Sequence, residues 1–308
     1  MSDGTNAGFM MEHISCDFCG SDRYRVRYRK PDTWLWRDLF EYPVVECLEC
    51  GLVYVNPRPP FNQMGRFYPP GYHDARNTDI HRQRYQGQAE YIPQLDRERV
   101  LDIGCARGDW LSSLKARYPG IEAHGVDAFS ESVAHEDIVF HKGALPECTL
   151  PDAYFDLVTA WAVLEHVHTP SAYFAEVSRI IKPGGRFVFL VPNAESLYGR
   201  MAFMEDVPRH LYHFSPRTIH AYASRFGFRV EIIVFDDRLW DGRGWGTFRH
   251  LFRRLARIDW RGLQELRYGL FGKASLRLGS LLDLLVFSAH WEAQLGRSGI
   301  MIVALNKT

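Results

Sequence analysis

Four cysteines near the front of the chain fall into two pairs, Cys16-Asp-Phe-Cys19 and Cys47-Leu-Glu-Cys50. A glycine follows each pair at once, Gly20 and Gly51. Two Cys-x2-Cys pairs separated by 27 residues have the spacing of two metal knuckles. Four thiolates suit a tetrahedral zinc ion, and each glycine eases the turn around it. Such a site has no open coordination position, so a zinc on Cys16, Cys19, Cys47 and Cys50 is structural rather than catalytic. The competing reading is four unmetallated thiols. The thiols of Cys105 and Cys148 read as packed or incidental.

A second constellation starts at Val100-Leu-Asp-Ile103, a short apolar run enclosing one acid, followed by Gly104-Cys-Ala-Arg-Gly108. Glycines let a backbone turn tightly and approach a ligand, and a helix after the turn offers unpaired N–H groups. Gly-x-x-x-Gly differs from the G-x-G-x-x-G of dinucleotide sites. About twenty residues on, Gly125-Val-Asp127 ends the next strand, where an acid can accept hydrogen bonds from both ribose hydroxyls. The remaining pieces are Phe155 to Val167, containing Trp161 and Glu165, and Ile181-Lys-Pro-Gly-Gly185. Each piece alone fits an ordinary strand end. Four in this order point to a cofactor site.

Histidines supply the third set. Glu165-His166 and the stretch Pro208-Arg-His210-Leu-Tyr-His213-Phe-Ser215 fall where a parallel sheet ends, and ligands bind at such edges. A neutral histidine suits proton removal near pH 7. His210 is the first candidate base, with His166 and His213 behind it. The alternative is structural: capping a helix or packing under a lid.

Something must position these groups. Apolar strands at Arg99–Ile103, Glu122–Val126, Ile138–His141, Phe155–Ala160, Gly185–Val191, Phe228–Phe235 and Gly299–Leu305 alternate with helical stretches at 108–118, 130–135, 170–181 and 216–226. This alternation predicts an α/β fold, a mostly parallel sheet covered on both faces. The Pro183-Gly184-Gly185 sequence predicts a break between helix and strand. In front, Tyr24–Tyr28 and Tyr42–Glu46 read as short strands, and Asn56-Pro-Arg-Pro-Pro60 marks a module boundary. The expected division is a zinc-ribbon module at 1–60 and a catalytic domain at 61–308. A helix is expected from about Asp79 to Gln94, and others at about 247–258, 262–270 and 274–294 within an insertion at 237–298.

The stretch from Val100 to about Phe235 resembles class I S-adenosylmethionine-dependent methyltransferases. The resemblance implies a Rossmann-like seven-stranded sheet, mostly parallel, with its last strand antiparallel. It implies S-adenosylmethionine as cofactor and S-adenosylhomocysteine as product. Asp102 would lie near the cofactor's amino group, Gly104, Cys105 and Gly108 around its methionine part, and Asp127 and Ala128 at the ribose. Gly143, Ala144 and Leu145 would line the adenine, and Trp161 and Glu165 would complete the pocket. Ala106 stands where a third glycine is common, a mild change. The arrangement CDFCG…VECLECGLVYVNPRP resembles bacterial methyltransferases with an N-terminal zinc ribbon, some of which serve sugar, polysaccharide or natural-product pathways. Zinc-bearing sugar C-methyltransferases carry a Tyr-His-Glu-His motif. Here Asp206-Val-Pro-Arg-His210 keeps only its last His, which argues against C-methylation of a ketosugar.

Composition bounds the rest. The chain has 308 residues, 46% hydrophobic, with zero formal net charge. Zero net charge speaks against a whole-protein attraction to nucleic acid or membrane. The N-terminus lacks the pattern of a secretory signal, and the apolar window Leu278 to Ala289 is short of the ~20 residues a spanning helix needs. A cytoplasmic protein is expected. Residues 243–277 interleave nine basic residues with apolar ones, which suits a solvated lid helix, a phosphate-bearing substrate, or a membrane or lipid-linked acceptor. The stretch Leu276–Trp291 suits core or a homodimer interface. The leading expectation is methyl transfer to a small-molecule hydroxyl, on a sugar, glycan or secondary metabolite. The rivals are an RNA methyltransferase whose ribbon binds RNA, and a non-catalytic scaffold.

Overall fold

A computed structural model describes residues 10–33, 40–68, 78–197, 199–200, 206–236, 239, 246–287 and 298–308. The apolar run at 99–103 forms β4 (Arg99–Ile103), an interior strand of a seven-stranded sheet. Its neighbours are β5 (Glu122–Asp127) and β7 (Phe155–Trp161), both parallel to it. Val100, Leu101 and Ile103 are buried, as a strand covered on both faces requires. Beyond β5 lies β6 (Ile138–Lys142), also parallel. Beyond β7 lies β8 (Ile181–Pro192). The late strand β11 (Ile300–Lys307) inserts between β8 and β10 (Phe228–Phe235), antiparallel to both. The expected Rossmann-like sheet with an antiparallel last strand is therefore present.

Helices cover it: α1 (Thr78–Ala89), α2 (Asp109–Arg117), α3 (Pro170–Ile180) and α4 (Pro216–Arg225). Pro170 and Pro216 open the last two at positions whose N–H would be orphaned anyway. Ser215 caps α4 by accepting from the Thr218 backbone N–H, and Thr218 returns the bond. The insertion folds as α5 (Thr247–Leu255), α6 (Trp260–Gln264) and α7 (Leu270–Phe287). The end of the expected helix 274–294 lies outside the described residues. α6 starts two residues early because Asp259 caps it, accepting from the Gly262 N–H, and it is shorter than the expected 262–270.

Three expectations need correction. No helix forms at 130–135. Asp127 Oδ1 accepts the N–H groups of Phe129 and Ser130 at 2.8 and 2.7 Å, but the chain beyond does not continue as a helix, and Ala134 donates its N–H to the Arg107 carbonyl at 2.9 Å instead of to residue 130. The Pro183-Gly184-Gly185 sequence does not separate helix from strand. β8 begins at Ile181, paired with Phe155, and 182–185 bulge before Arg186 pairs with Leu157. The helix expected to reach Gln94 stops at Ala89, where turns centred on Gly87 to Ala89 take over.

The front of the chain builds a second sheet from β1 (Tyr24–Lys30), β2 (Tyr42–Cys47) and β3 (Val53–Val55). A two-residue strand, β9 (Tyr212–His213), completes it by pairing with β3. The sheet does not stand apart. Tyr42, Val44 and Leu52 belong to the same apolar core as Phe174 on α3, Phe187 and Phe189 on β8 and Tyr222 on α4. Asp17, between the first two cysteines, accepts hydrogen bonds from Ser171 N–H and Oγ–H and from the Tyr222 hydroxyl. Arg58 donates to the carbonyl of His168 at 2.8 Å and to the Tyr212 hydroxyl at 3.0 Å.

Candidate functional site

The glycine turn follows β4. Gly104 and Cys105 both donate their N–H to the Val126 carbonyl, which folds the turn against β5. Gly104 sits at φ +70°, and a Cβ there would lie 2.5 Å from the Val163 side chain. Glycine is thus required both for conformation and for close approach. Gly108, at φ +82°, opens α2. Ala106 also adopts a left-handed φ of +46°, which costs an alanine ~1–2 kcal/mol, more than the mild change its sequence position implied. Asp127 holds the turn in place: its Oδ2 accepts the Ala106 N–H at 2.9 Å. With the bonds from Phe129 and Ser130, three of its roughly four acceptor positions are used. The carboxylate that the sequence assigned to ribose therefore also organises the loop.

Asp102 is buried inside β4 and accepts a 2.6 Å hydrogen bond from Thr159 Oγ1. Burial pushes its carboxyl up to about 8, against the Thr159 bond and helped by the Asp127 charge. An ammonium group beside it would restore the carboxylate. The thiol of Cys105 is packed toward Gly125, so this residue can offer a ligand only backbone. Gly143 donates its N–H to the Asp127 carbonyl, which brings Ala144 and buried Leu145 toward the same edge as Asp127 and Ala128. Trp161 ends β7 and packs edge-on against Trp110 at 5.4 Å. The indole N–H groups of Trp110 and Trp161 and Nε of Arg107 are buried with no hydrogen-bond partner among the described residues. Orphaned donors around a glycine turn fit a site that binds a polar cofactor.

The chain leaves β7 through Ala162 and Val163, which pack over this turn, and reaches Glu165 and His166. His166 Nδ1 donates to the Arg209 carbonyl at 3.0 Å, with the Tyr68 hydroxyl 3.3 Å away. The His166 and His210 rings meet edge to face at 4.7 Å. One polar atom each from Glu165, His166 and His210 lies within 4.8 Å of the others. Glu165, expected at the cofactor, therefore stands beside the histidine pair. Burial holds His166 down at about 3 and His210 at about 4; the neighbouring Asp206 pulls both upward without reversing the shift. Both rings are therefore neutral at pH 7. His213 does not join them. It sits in β9 opposite Val53, in the ribbon's sheet.

Arg209, where the sugar C-methyltransferase motif has Glu, is fully buried. Its guanidinium grips Asp32 through two bonds of 2.9 and 3.0 Å, Asp206 through Nε at 2.8 Å, and the Phe67 carbonyl at 2.9 Å. Burial would raise Asp206, but Arg209 outweighs it and holds the carboxyl at about 2. The segment carrying His210 is thus pinned to the ribbon side of the molecule.

The four cysteines converge. Cys16 and Cys50 sulfurs are 3.5 Å apart, as are those of Cys19 and Cys47, and all four lie within 4.8 Å of one another. These separations are far too long for a disulfide and suit the edges of a tetrahedron of thiolates around one ion. The two knuckles match: Gly20 N–H donates to the Cys16 carbonyl and Gly51 N–H to that of Cys47.

The profile of a methyltransferase-domain family matches residues 78–232, just over half of the chain. The chain belongs to this family. With its sheet order, that makes it a class I S-adenosylmethionine-dependent methyltransferase by fold and descent. A probable S-adenosylmethionine-dependent methyltransferase of Mycolicibacterium smegmatis is 28% identical over 140 residues, 43% of this chain and 52% of that protein. Demethylmenaquinone methyltransferase of Deinococcus radiodurans is 34% identical over 125 residues, 36% of this chain and 52% of that protein. The chain thus spans about half the length of the curated relatives it matches. The solved phosphoethanolamine N-methyltransferase 2 of Haemonchus contortus, bound to phosphomonomethylethanolamine and S-adenosylhomocysteine, shares the fold. It has a TM-score of 0.50 and 14% identity over 92% of this chain and 68% of that one.

In this methyltransferase three positioning groups escaped the sequence reading. Thr159 bonds Asp102, Tyr68 meets His166, and Asp32 holds Arg209. None lies near its partner in sequence. The one local signal was the Asp206-x-x-Arg209 pair, spaced i, i+3. For Asp127, replacement by Ala should weaken binding of S-adenosylhomocysteine, read by titration calorimetry, by about 30-fold or more. That corresponds to the loss of one or two charge-assisted bonds of ~1.5–3 kcal/mol each. Unchanged affinity would remove Asp127 from the site.

Proposed function

We propose that this protein transfers a methyl group from S-adenosylmethionine to a hydroxyl of a small molecule, a sugar, glycan or secondary metabolite. The observation that carries the reading is a pair of partly buried histidines, His166 and His210, that meet edge to face just beyond the glycine turn. Asp102, Gly104, Gly108 and Asp127 would hold the cofactor, with Ala128, Ala144, Leu145 and Trp161 lining it. The bound cofactor supplies an activated sulfonium methyl. The protein's task is then to align the acceptor and take its proton. His210 accepts the hydroxyl proton as the oxygen bonds the methyl carbon, while the carbon–sulfur bond breaks and leaves a neutral thioether. His166 is held by the Arg209 carbonyl in the tautomer that leaves Nε2 unprotonated. A methyl-donor assay against hydroxyl-bearing acceptors, with mass spectrometry of the product, tests this. A product one methylene heavier with the methyl on oxygen supports it, and methyl on RNA overturns it. Against RNA, Arg23 just before β1 and Arg25 on it are paired with Glu49 and Glu46.

The ribbon module at 1–60 would bind one structural zinc through Cys16, Cys19, Cys47 and Cys50. Its role is to buttress the acceptor side through Asp17, Asp32 and Arg58. Native mass spectrometry should find one zinc per chain. Cys50→Ser should weaken zinc binding at least about tenfold and lower the melting temperature. A metal-free protein with unchanged stability would contradict this.

A further inference from the structure

α7 presents two different faces. Its inner face, Gly272, Leu276, Gly279 and Asp283, is buried. Asp283 accepts the N–H groups of Phe248 and Arg249 at the start of α5, at 2.8 and 3.1 Å. Gly279 lies so close to α5 that a Cβ would come within 2.5 Å of the Arg249 Cα. The inner face is therefore fully occupied by α5.

The side chains of the outer face are exposed. Phe271, Leu278 and Leu285 recur every seven residues, with Leu281 between them and Leu270 and Leu284 beside them. That spacing puts them on one side of a helix. Phe271 is 75% and Leu285 58% exposed. Within residues 255–285 lie eight of the sixteen large hydrophobic side chains that are exposed among the described residues. So strong a concentration is not ordinary surface scatter.

The charge around it has one sign. Seven basic residues between Arg249 and Arg277 are exposed, against two exposed acids, Asp259 and Glu265. Glu265 is already taken by Arg261 and Arg267. Lys273 and Arg277 sit on the apolar face of α7 itself. A second copy of the chain, docked face to face, would bring these cations against their own kind. A surface of anionic lipid would meet apolar side chains with acyl chains and cations with phosphates. Among the described residues no helix is long and apolar enough to cross a membrane, so α7 would lie in the interface plane.

We propose that the α5–α7 insertion docks this methyltransferase on an anionic membrane surface, with the outer face of α7 in the headgroup layer. The proposal does not depend on the acceptor assigned above. It is tested by co-flotation of the full chain with vesicles of phosphatidylcholine alone and of phosphatidylcholine mixed with phosphatidylglycerol. The expected result is at least about tenfold stronger binding to the mixed vesicles, weakened by salt. The double substitution Leu278→Glu, Leu285→Glu should remove at least about tenfold of that binding while S-adenosylhomocysteine affinity stays unchanged. Arg254→Glu with Arg257→Glu should do the same through charge alone. Equal or absent binding to the two vesicle types overturns the proposal. So does a dimer in sedimentation that the leucine substitutions dissociate, since the occupant would then be a second copy.

Discussion

His210→Asn is expected to lower kcat by about 10²–10⁴-fold, the usual contribution of a positioned general base. S-adenosylhomocysteine affinity should hold within about twofold, because the substitution touches the proton acceptor and not the donor site. Asparagine keeps the side chain polar and near in size but cannot take the proton. The pH profile should separate this role from a structural one. His210 faces His166, Asp206, Arg209 and Lys30, and burial sets its pKa down at about 4. A depressed histidine is in its base form everywhere above that value. Wild-type kcat should therefore stay level from neutral pH down toward about 5 and fall as pH approaches 4, rather than fall through the ~6.5 of an ordinary histidine. Near-normal turnover of the Asn variant would remove His210 from the chemistry.

Arg209→Met should cost about 3–5 kcal/mol of stability, the expected effect of breaking a buried ion pair by removing one partner. The reason is Asp32, buried and held by both terminal nitrogens of Arg209. Without the guanidinium Asp32 loses two charge-assisted hydrogen bonds, and the Phe67 carbonyl loses a donor. For a chain of this size the melting temperature should drop by roughly 5–8 °C. A second substitution, Asp32→Asn, should recover part of the loss by removing the buried charge. A single variant within about 1 kcal/mol of wild type would show that the cluster does not secure the His210 segment.

The central sheet was legible because its signals are local. Val100–Ile103 is apolar throughout and buried on both faces, and the late strand is apolar again at 300–305. The cysteine knuckles were legible for the same reason, since spacing fixes them. The two-residue strand β9 was not: it exists only because Val53 and Tyr54 supply partners. This strand decides the fate of His213, whose position near His210 in sequence suggested a shared site. In three dimensions His210 meets His166, and His213 belongs to the ribbon's edge. The region 130–135 misled for a different reason. The Ala134 N–H, which a helix would have paired within itself, bonds the distant Arg107 carbonyl instead. The role of Arg209 was hidden because its partner Asp32 lies 177 residues away. Four of the six exposed apolar residues of α7, Leu278, Leu281, Leu284 and Leu285, lie in the stretch read as core or homodimer interface, because a sequence gives the stripe and not what faces it.

The most direct test of the methyl-donor site is thermal unfolding of the zinc-loaded protein with and without S-adenosylhomocysteine. A ligand present at 100 times its Kd adds about 2.7 kcal/mol, which predicts a rise of several degrees in Tm, reduced in Asp127→Ala. No rise at any ligand concentration would contradict the assignment of Asp102, Gly104, Gly108 and Asp127 to the cofactor.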